Sequence, residues 1–75
     1  METPEKVIEI VADEANLKVE AVRTSDTLGD LGFDSLDNVQ LVMRIENEFG
    51  IKVSDDELEH IVTVADIVKL VLAKK

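Results

Sequence analysis

The sequence has 75 residues, a formal net charge of −9 and no Cys. A chain this short forms a single domain, residues 1–75, and leaves no room for a catalytic cleft between domains. Its acidity argues against nucleic-acid binding, because neutralising phosphates requires a basic face. Its apolar runs fall short of the roughly 20 residues that span a bilayer, and its N-terminal stretch has no secretory pattern. We expect a monomer in the cytoplasm, or the mature form of an organellar protein.

The first helix is predicted to start at Thr3 and to end near Asn16. Thr3 provides a capping hydroxyl and Pro4 suits the first helical position, while Glu2 and Glu5 suit the positive end of the helix dipole. One apolar stripe has helical spacing and should face the core: Val7, Ile8, Val11, Ala12 and Ala15.

From Leu17 to Asp34 the helical periodicity fails and turn-forming residues dominate. Loops of this length in compact domains tend to be functional or disordered. Five apolar residues favour order by pinning the loop to the core: Val19, Val22, Leu28, Leu31 and Phe33. We expect an ordered loop, with a short helical turn, that leads the chain to Asp34.

A second helix is predicted from about Ser35 to Phe49, ended by Gly50. It has two apolar stripes on nearly opposite sides. The core stripe is Leu41, Val42, Ile45 and Phe49; the second stripe is Leu36, Val39 and Met43. One helix of a small bundle cannot bury both stripes, so the second, bordered by Asp37, Gln40 and Glu46, is typical of a partner-docking surface. The alternative is that Leu28 or Leu31 covers it.

Two capping motifs predict the starts of the remaining two helices. Ser54 and Glu57 form a capping box that opens a short third helix, to about His60. Thr63 and Asp66 form a related signal before the last helix. Its core stripe is Val64, Ile67, Val68 and Val71, and its basic end is Lys74 and Lys75. The predicted fold is all-α: a small four-helix bundle of three longer helices and a short third one, with a long ordered loop between the first two.

Ser35 is the candidate functional residue, because a hydroxyl at a helix start points to solvent and the unpaired amides there favour a phosphodiester. The alternative is an ordinary N-cap role. We predict no catalytic residue, because the single His, His60, falls in an acidic third helix that should be exposed, and the Gly-x-Ser-x-Gly elbow is absent. We also predict no metal site. Four aspartates are too loosely spaced for a calcium loop: Asp26, Asp30, Asp34 and Asp37.

The segment LGFDSLD, residues 31–37, resembles the prosthetic-group attachment motif of the acyl carrier protein family, in which Asp-Ser-Leu opens the second helix. The resemblance continues through NVQLVM, IE and EFG in residues 38–50, through VSDDE in 53–57, and through TVAD in 63–66. It therefore covers essentially the whole chain.

The resemblance implies a carrier with 4′-phosphopantetheine on Ser35, placed there from coenzyme A by a phosphopantetheinyl transferase (a holo-acyl-carrier-protein synthase). The arm would present growing fatty acyl chains, as thioesters, to ketoacyl synthases, reductases, dehydratases and acyltransferases. Docking through the second helix would use three acidic and three apolar residues. Basic patches of partners would meet Asp34, Asp37 and Glu46, and apolar contacts would involve Leu36, Val39 and Met43.

The same resemblance suggests that an acyl chain could lie between the helices, which have few rigid rings, near Val42, Ile45 and Ile61. Some positions depart from the family pattern. Phe33 replaces a small residue, and the second helix is made less acidic by Gln40, Arg44 and Asn47. Two alternatives therefore stay open. One is a carrier dedicated to a specialised pathway with polyketide, aminoacyl or modified-lipid cargo; the other is a non-catalytic helical interaction module.

Overall fold

The first helix, α1, spans Thr3–Ala15 in the computed structural model, which describes residues 3–74. Thr3 is itself helical and buried, so the helix begins one residue earlier than a Thr3 cap predicts; Glu2 lies outside the described residues. Asn16 adopts a left-handed conformation, and the amide of Leu17 donates to the carbonyl of Ala12 at 2.8 Å. This arrangement ends the helix where the sequence predicts.

The predicted α1 stripe is confirmed at its centre and extended by one residue. Val7, Val11 and Ala12 are buried, and so is Ile10, whereas Ile8 is only half-buried. This face of α1 packs against both the second and the last helix. α1 therefore makes most of the contacts between the helices.

The long loop is ordered, and it contains the expected helical turn as a 3₁₀ turn at Val19–Ala21. Val22 and Leu28 are buried, and Leu31 and Phe33 pack against the core. The prediction that Val19 pins the loop is wrong, since its side chain is 47% exposed. The 3₁₀ turn lies on the surface with none of its residues buried, and the chain enters the core only at Val22.

The loop is also held by backbone hydrogen bonds to the connection before the last helix. The amide of Leu28 donates to the carbonyl of Val62 at 2.9 Å, and the amide of Val64 donates to the carbonyl of Asp26 at 3.1 Å. These bonds satisfy polar groups that a helix start would otherwise leave unpaired. They also fix residues 26–28 beside residues 62–64.

The second helix, α2, spans Ser35–Phe49. Its cap is Asp34, whose carboxylate accepts from the amide of Asp37 at 2.9 Å, while the Asp37 carboxylate accepts from the amide of Asp34 at 3.1 Å. Gly50 ends the helix with φ 66°, a left-handed conformation that glycine adopts without a Cβ penalty. Both predicted ends of α2 are confirmed.

The short third helix, α3, spans Asp55–Glu59 and starts with the predicted capping box. The hydroxyl of Ser54 accepts from the amide of Glu57 at 3.2 Å, and the Glu57 carboxylate accepts from the amide of Ser54 at 3.0 Å. The same carboxylate pairs with Lys74 at 3.0 Å. The pKa of Glu57 is lowered by the Ser54 amide first and by Lys74 second. His60 ends the helix, as predicted.

The last helix, α4, spans Val64–Lys74. The Thr63 hydroxyl accepts from the amide of Asp66 at 3.2 Å, and the Asp66 carboxylate accepts from the amides of Thr63 and Val62, each at 3.0 Å. The predicted start is therefore confirmed. Its four predicted core residues are all buried: Val64, Ile67, Val68 and Val71. The predicted basic end includes Lys75, which lies outside the described residues.

The four-helix all-α architecture is confirmed, with no β-strand among residues 3–74. The buried hydrophobic residues of that range are Val, Ile, Leu and Ala alone, and both Phe side chains are half-buried at the edge of the core. None of the helices within that range has the length and apolarity needed to cross a membrane.

Candidate functional site

Ser35 is the first residue of α2, and its side chain is exposed. Because Asp34 caps the helix, the alternative that Ser35 serves as the N-cap is wrong. The Ser35 side chain makes no hydrogen bond with any residue of the described range 3–74. The hydroxyl is therefore accessible and not engaged in holding the fold.

The start of α2 carries backbone donors that suit an anion. Asp34 accepts from the amide of Asp37 by its side chain and from the amide of Asn38 by its carbonyl. Within residues 3–74, the amides of Ser35 and Leu36 have no acceptor. Unpaired amides and the positive end of the helix dipole favour negative charge at this position. A phosphodiester on Ser35 would lie at the favourable end of a 15-residue helix.

Ser35 also opens onto a groove of about 550 Å³. The groove lies between the start of α2, the loop before it and the connection between α3 and α4. Its remaining lining residues are Thr27, Leu28, Gly29, Phe33, Asp34, Asn38, Ile61 and Val62. The backbone pairing of residues 26–28 with 62–64 brings these segments together. A flexible chain attached to Ser35 would find a mostly apolar surface next to its attachment point.

Asn38 is a residue of this groove that the motif analysis missed as a site residue. It follows Ser35 by three positions on α2, and residues at this spacing are neighbours on a helix surface. Its Oδ1 atom is shielded from solvent and has no hydrogen-bond partner within the described range. Helical spacing from Ser35 was the signal that could have identified it.

The second apolar stripe of α2 is exposed, as one reading of the sequence predicts. Leu36 is 65% exposed and Met43 56%, and Val39 lies between them at 39%. The alternative, that Leu28 or Leu31 covers the stripe, is wrong, because Leu28 is in the core and Leu31 packs against the core. An exposed apolar stripe therefore begins next to Ser35.

The predicted acidic docking residues differ in the hydrogen bonds that their carboxylates accept within the protein. Those of Asp34 and Asp37 cap α2. Glu46 is half-buried, and its Oε2 accepts from the amide of Val53 at 2.8 Å, which ties α2 to the connection before α3. Each of the three carboxylates therefore also stabilises local structure.

Arg44 is held by α1. Its Nη1 atom lies 2.6 Å from the Asp13 carboxylate and 2.8 Å from the Glu14 carboxylate. Hydrogen bonds to Glu14 and Asp13 raise the pKa of the guanidinium. The positive charge that sets this helix apart from the family pattern is thus paired within the protein.

Comparisons with known proteins agree with the site. The family described as "Phosphopantetheine attachment site" matches residues 5–71. An acyl carrier protein of Caulobacter vibrioides is 46% identical over 71 residues, covering 93% of this chain and 91% of that protein. One from Rickettsia prowazekii is 48% identical over 69 residues, covering 89% and 79% respectively.

The fold is shared as well. The crystal structure of the acyl carrier protein of Thermotoga maritima superposes with a TM-score of 0.79 at 36% identity, covering 92% of this chain and 81% of that one. The resemblance found in the sequence is therefore confirmed over nearly its full length. The chain belongs to the acyl carrier protein family, whose prosthetic group is 4′-phosphopantetheine.

Proposed function

We propose that Ser35 is the attachment residue for 4′-phosphopantetheine and that the protein carries growing fatty acyl chains to the enzymes of fatty acid synthesis. The observation that carries the proposal is an exposed Ser35 hydroxyl at the first position of α2, with the capping role already taken by Asp34. The protein acts as a carrier and leaves the chemistry to its partners.

The residues around Ser35 fit this prosthetic group. The unpaired amides of Ser35 and Leu36 suit a phosphodiester, and the adjoining groove offers apolar walls and the polar side chain of Asn38. When bound, the group supplies a terminal thiol that holds acyl groups as thioesters. Rigid placement of Ser35 at a helix start gives every partner enzyme the same anchor point.

In the loading reaction, Ser35 Oγ is the nucleophile. It attacks the phosphorus that bears the pantetheine of coenzyme A, the bond from that phosphorus to the adenosine bisphosphate portion breaks, and adenosine 3′,5′-bisphosphate leaves. The hydroxyl proton passes to a base of the transferase. The transferase can reach the Ser35 hydroxyl directly, because this residue is exposed at a helix start and its hydroxyl has no internal hydrogen bond to break.

Docking on the second stripe brings partner enzymes to the arm. Leu36, Val39 and Met43 provide apolar contact area, and the acidic residues Asp34, Asp37 and Glu46 attract basic patches on transferases, ketoacyl synthases, reductases, dehydratases and acyltransferases. A net charge of −9 raises the on-rate of such partners. A tethered arm needs only weak docking, because tethering raises its local concentration at the enzyme.

Fatty acyl cargo is favoured by the purely aliphatic core. Val42 and Ile61 both lie in that core, and Ile61 also lines the groove. An acyl chain there could replace aliphatic contacts without displacing an aromatic ring. Phe33, which lines the groove and packs on the core edge, distinguishes this site from the common pattern. A dedicated carrier for polyketide, aminoacyl or modified-lipid cargo is the second candidate, supported by that ring.

The attachment is tested by incubating the protein with coenzyme A, magnesium and a broad-specificity phosphopantetheinyl transferase, and then measuring the intact mass. The expected result is one added phosphopantetheine on the parent and on Ser25→Ala, a control in the exposed loop. Ser35→Ala should gain none. A folded parent that stays unmodified would instead support the non-catalytic interaction module.

The cargo is tested separately, by supplying the loaded protein to purified fatty acid synthesis enzymes. Elongation of an acyl thioester on the protein supports the fatty acid pathway. Loading without any elongation supports a dedicated carrier. In that case Phe33→Ala should restore turnover, because the ring stands beside the attachment site.

A further inference from the structure

Arg44 is the single Lys or Arg of α2, and it directly follows Met43, the last residue of the exposed second stripe. Its position on the helix lies about 14 Å from that of Ser35 along the axis, at 1.5 Å per residue. An interface of standard size covers about 800 Å² of each partner, which is roughly 30 Å across. An enzyme that docks on the stripe and reaches Ser35 therefore comes close to Arg44.

An unpaired guanidinium at this position would oppose docking. The partners proposed above carry basic patches, and like charges brought together across an interface lower the affinity. Within the protein, however, Nη1 of Arg44 lies 2.6 Å from Oδ2 of Asp13 and 2.8 Å from Oε1 of Glu14. Two carboxylates against one guanidinium give the three residues together a negative formal charge.

Asp13 and Glu14 lie at the unfavourable end of α1 for acidic residues. Both belong to the last turn of the helix, which contains no basic residue. The negative end of the helix dipole disfavours carboxylates there. Ion pairs between exposed side chains contribute little to stability, and the Asp13 and Arg44 side chains are 69% and 41% exposed. Because these two effects are small and opposed, the main consequence of the two carboxylates is the charge that they give the surface.

We propose that Asp13 and Glu14 mask the charge of Arg44, so that the edge of the docking stripe next to α1 accepts enzymes with basic patches. This role rests on the proposed function, because it concerns partners that must reach Ser35. It extends the docking surface from α2 to the end of α1. The three residues select partners by charge and leave the chemistry on the arm unchanged.

The first experiment measures the initial rate at which a phosphopantetheinyl transferase with a basic docking patch loads Ser35 at low salt. The double variant Asp13→Asn/Glu14→Gln leaves Arg44 unmasked. Its kcat/KM should fall roughly fivefold, through a higher KM with kcat unchanged, because the added positive charge slows association. High salt should reduce the difference to less than about twofold, since it screens exposed charges.

The control has the same net charge as the double variant. Glu5→Gln/Glu20→Gln also removes two exposed carboxylates, but from the start of α1 and from the 3₁₀ turn. Its kcat/KM should stay within about twofold of the parent at every salt concentration. An equal loss in the control would show that net charge alone matters, and would refute the masking of Arg44.

The second experiment removes Arg44 itself. Adding Arg44→Gln to the double variant takes away the unmasked charge and should restore kcat/KM to within about twofold of the parent. Arg44→Gln alone should load at least as fast as the parent, although its Tm should fall by a few degrees, because two carboxylates are then unpaired at the negative end of α1. If the three residues acted on stability alone, loading would instead fall together with Tm.

Three results would overturn the masking role. A double variant that loads as fast as the parent at low salt would show that the charge of Arg44 does not reach the interface. A triple variant as slow as the double variant would show that the loss does not come from Arg44. Slower loading of Arg44→Gln with faster loading of the double variant would show that Arg44 itself binds an acidic group of the enzyme.

The carrier function fails in a different way. A folded parent that gains no phosphopantetheine by mass would refute attachment at Ser35, and the masking role with it. If the parent and all variants load fully and at equal rates, attachment at Ser35 stands and only the masking role is refuted.

Discussion

Leu28→Ala should destabilise the protein more than its position in a loop suggests. Leu28 is 1% exposed and lies among the largest fully buried side chains. Its backbone amide also donates to Val62, so the residue joins the loop to the connection before α4 in two ways. The substitution deletes the side-chain contact and leaves the backbone donor in place.

The expected loss follows from burial. Deleting the outer atoms of a fully buried Leu costs about 2–5 kcal/mol, from lost transfer free energy and the cavity left behind. A domain of this size has a total stability of roughly 4–11 kcal/mol at the usual value per residue. We therefore expect a loss of about 3 kcal/mol in unfolding free energy and a fall in Tm of more than about 10 °C.

The assay is urea unfolding followed by circular dichroism, with Leu72→Ala as the matched control. Leu72 is 55% exposed on α4, so the same deletion there should change the stability by no more than about 0.5 kcal/mol. Amide exchange at Val64, which donates to the loop carbonyl of Asp26, should accelerate in Leu28→Ala beyond the global effect. If Leu28→Ala costs under about 1 kcal/mol, the loop is not anchored through this side chain.

Other predictions concern charge, docking and cargo. Amides of Thr63 and Val62 hold the pKa of Asp66 below its usual range. Asp66→Asn should therefore cost about 1 kcal/mol in unfolding free energy at pH 7, and the difference from the parent should vanish in urea titrations as the pH falls below about 4. Salt or magnesium should raise the Tm of the parent in thermal melts by a few degrees, since the net charge of −9 is self-repulsive; a flat response would contradict this. Met43→Glu should lower kcat/KM with a ketoacyl synthase about tenfold while leaving the Tm within a few degrees, because the side chain is 56% exposed. The amide shifts of Ile61 should change with acyl chain length, and their constancy would argue against a chain in the core.

The helices could be predicted from the sequence because their ends are encoded locally. Ser54 with Glu57, and Thr63 with Asp66, form capping pairs across three residues, and Gly50 supplies the left-handed end of α2. Such signals depend on neighbours in the chain and need no tertiary contact. The attachment motif at Ser35 is local in the same way.

The groove could not be predicted in this way, because it depends on contacts between distant segments. Residues 26–28 and 62–64 lie side by side through backbone hydrogen bonds, which leave no pattern in side-chain periodicity. The same limit explains why the prediction that Val19 packs against the core is wrong. An apolar residue in an irregular loop has no period that tells whether it faces the core, and only the path of the chain around the 3₁₀ turn shows that it does not.

The distribution of charge explains how one small surface can attract partners and also hold an anionic group. Residues 24–43 contain four Asp and no Lys or Arg. Three basic side chains outside that segment form ion pairs between helices: Lys6 with Glu48, Arg44 with Asp13 and Glu14, and Lys74 with Glu57. Negative charge is thereby concentrated around Ser35. These carboxylates repel a phosphodiester on Ser35, but the unpaired backbone amides of Ser35 and Leu36 attract it. Their effect is limited to the first turn of α2. Partners approaching from solvent experience the net negative field, whereas the attached phosphate interacts at short range with the helix start.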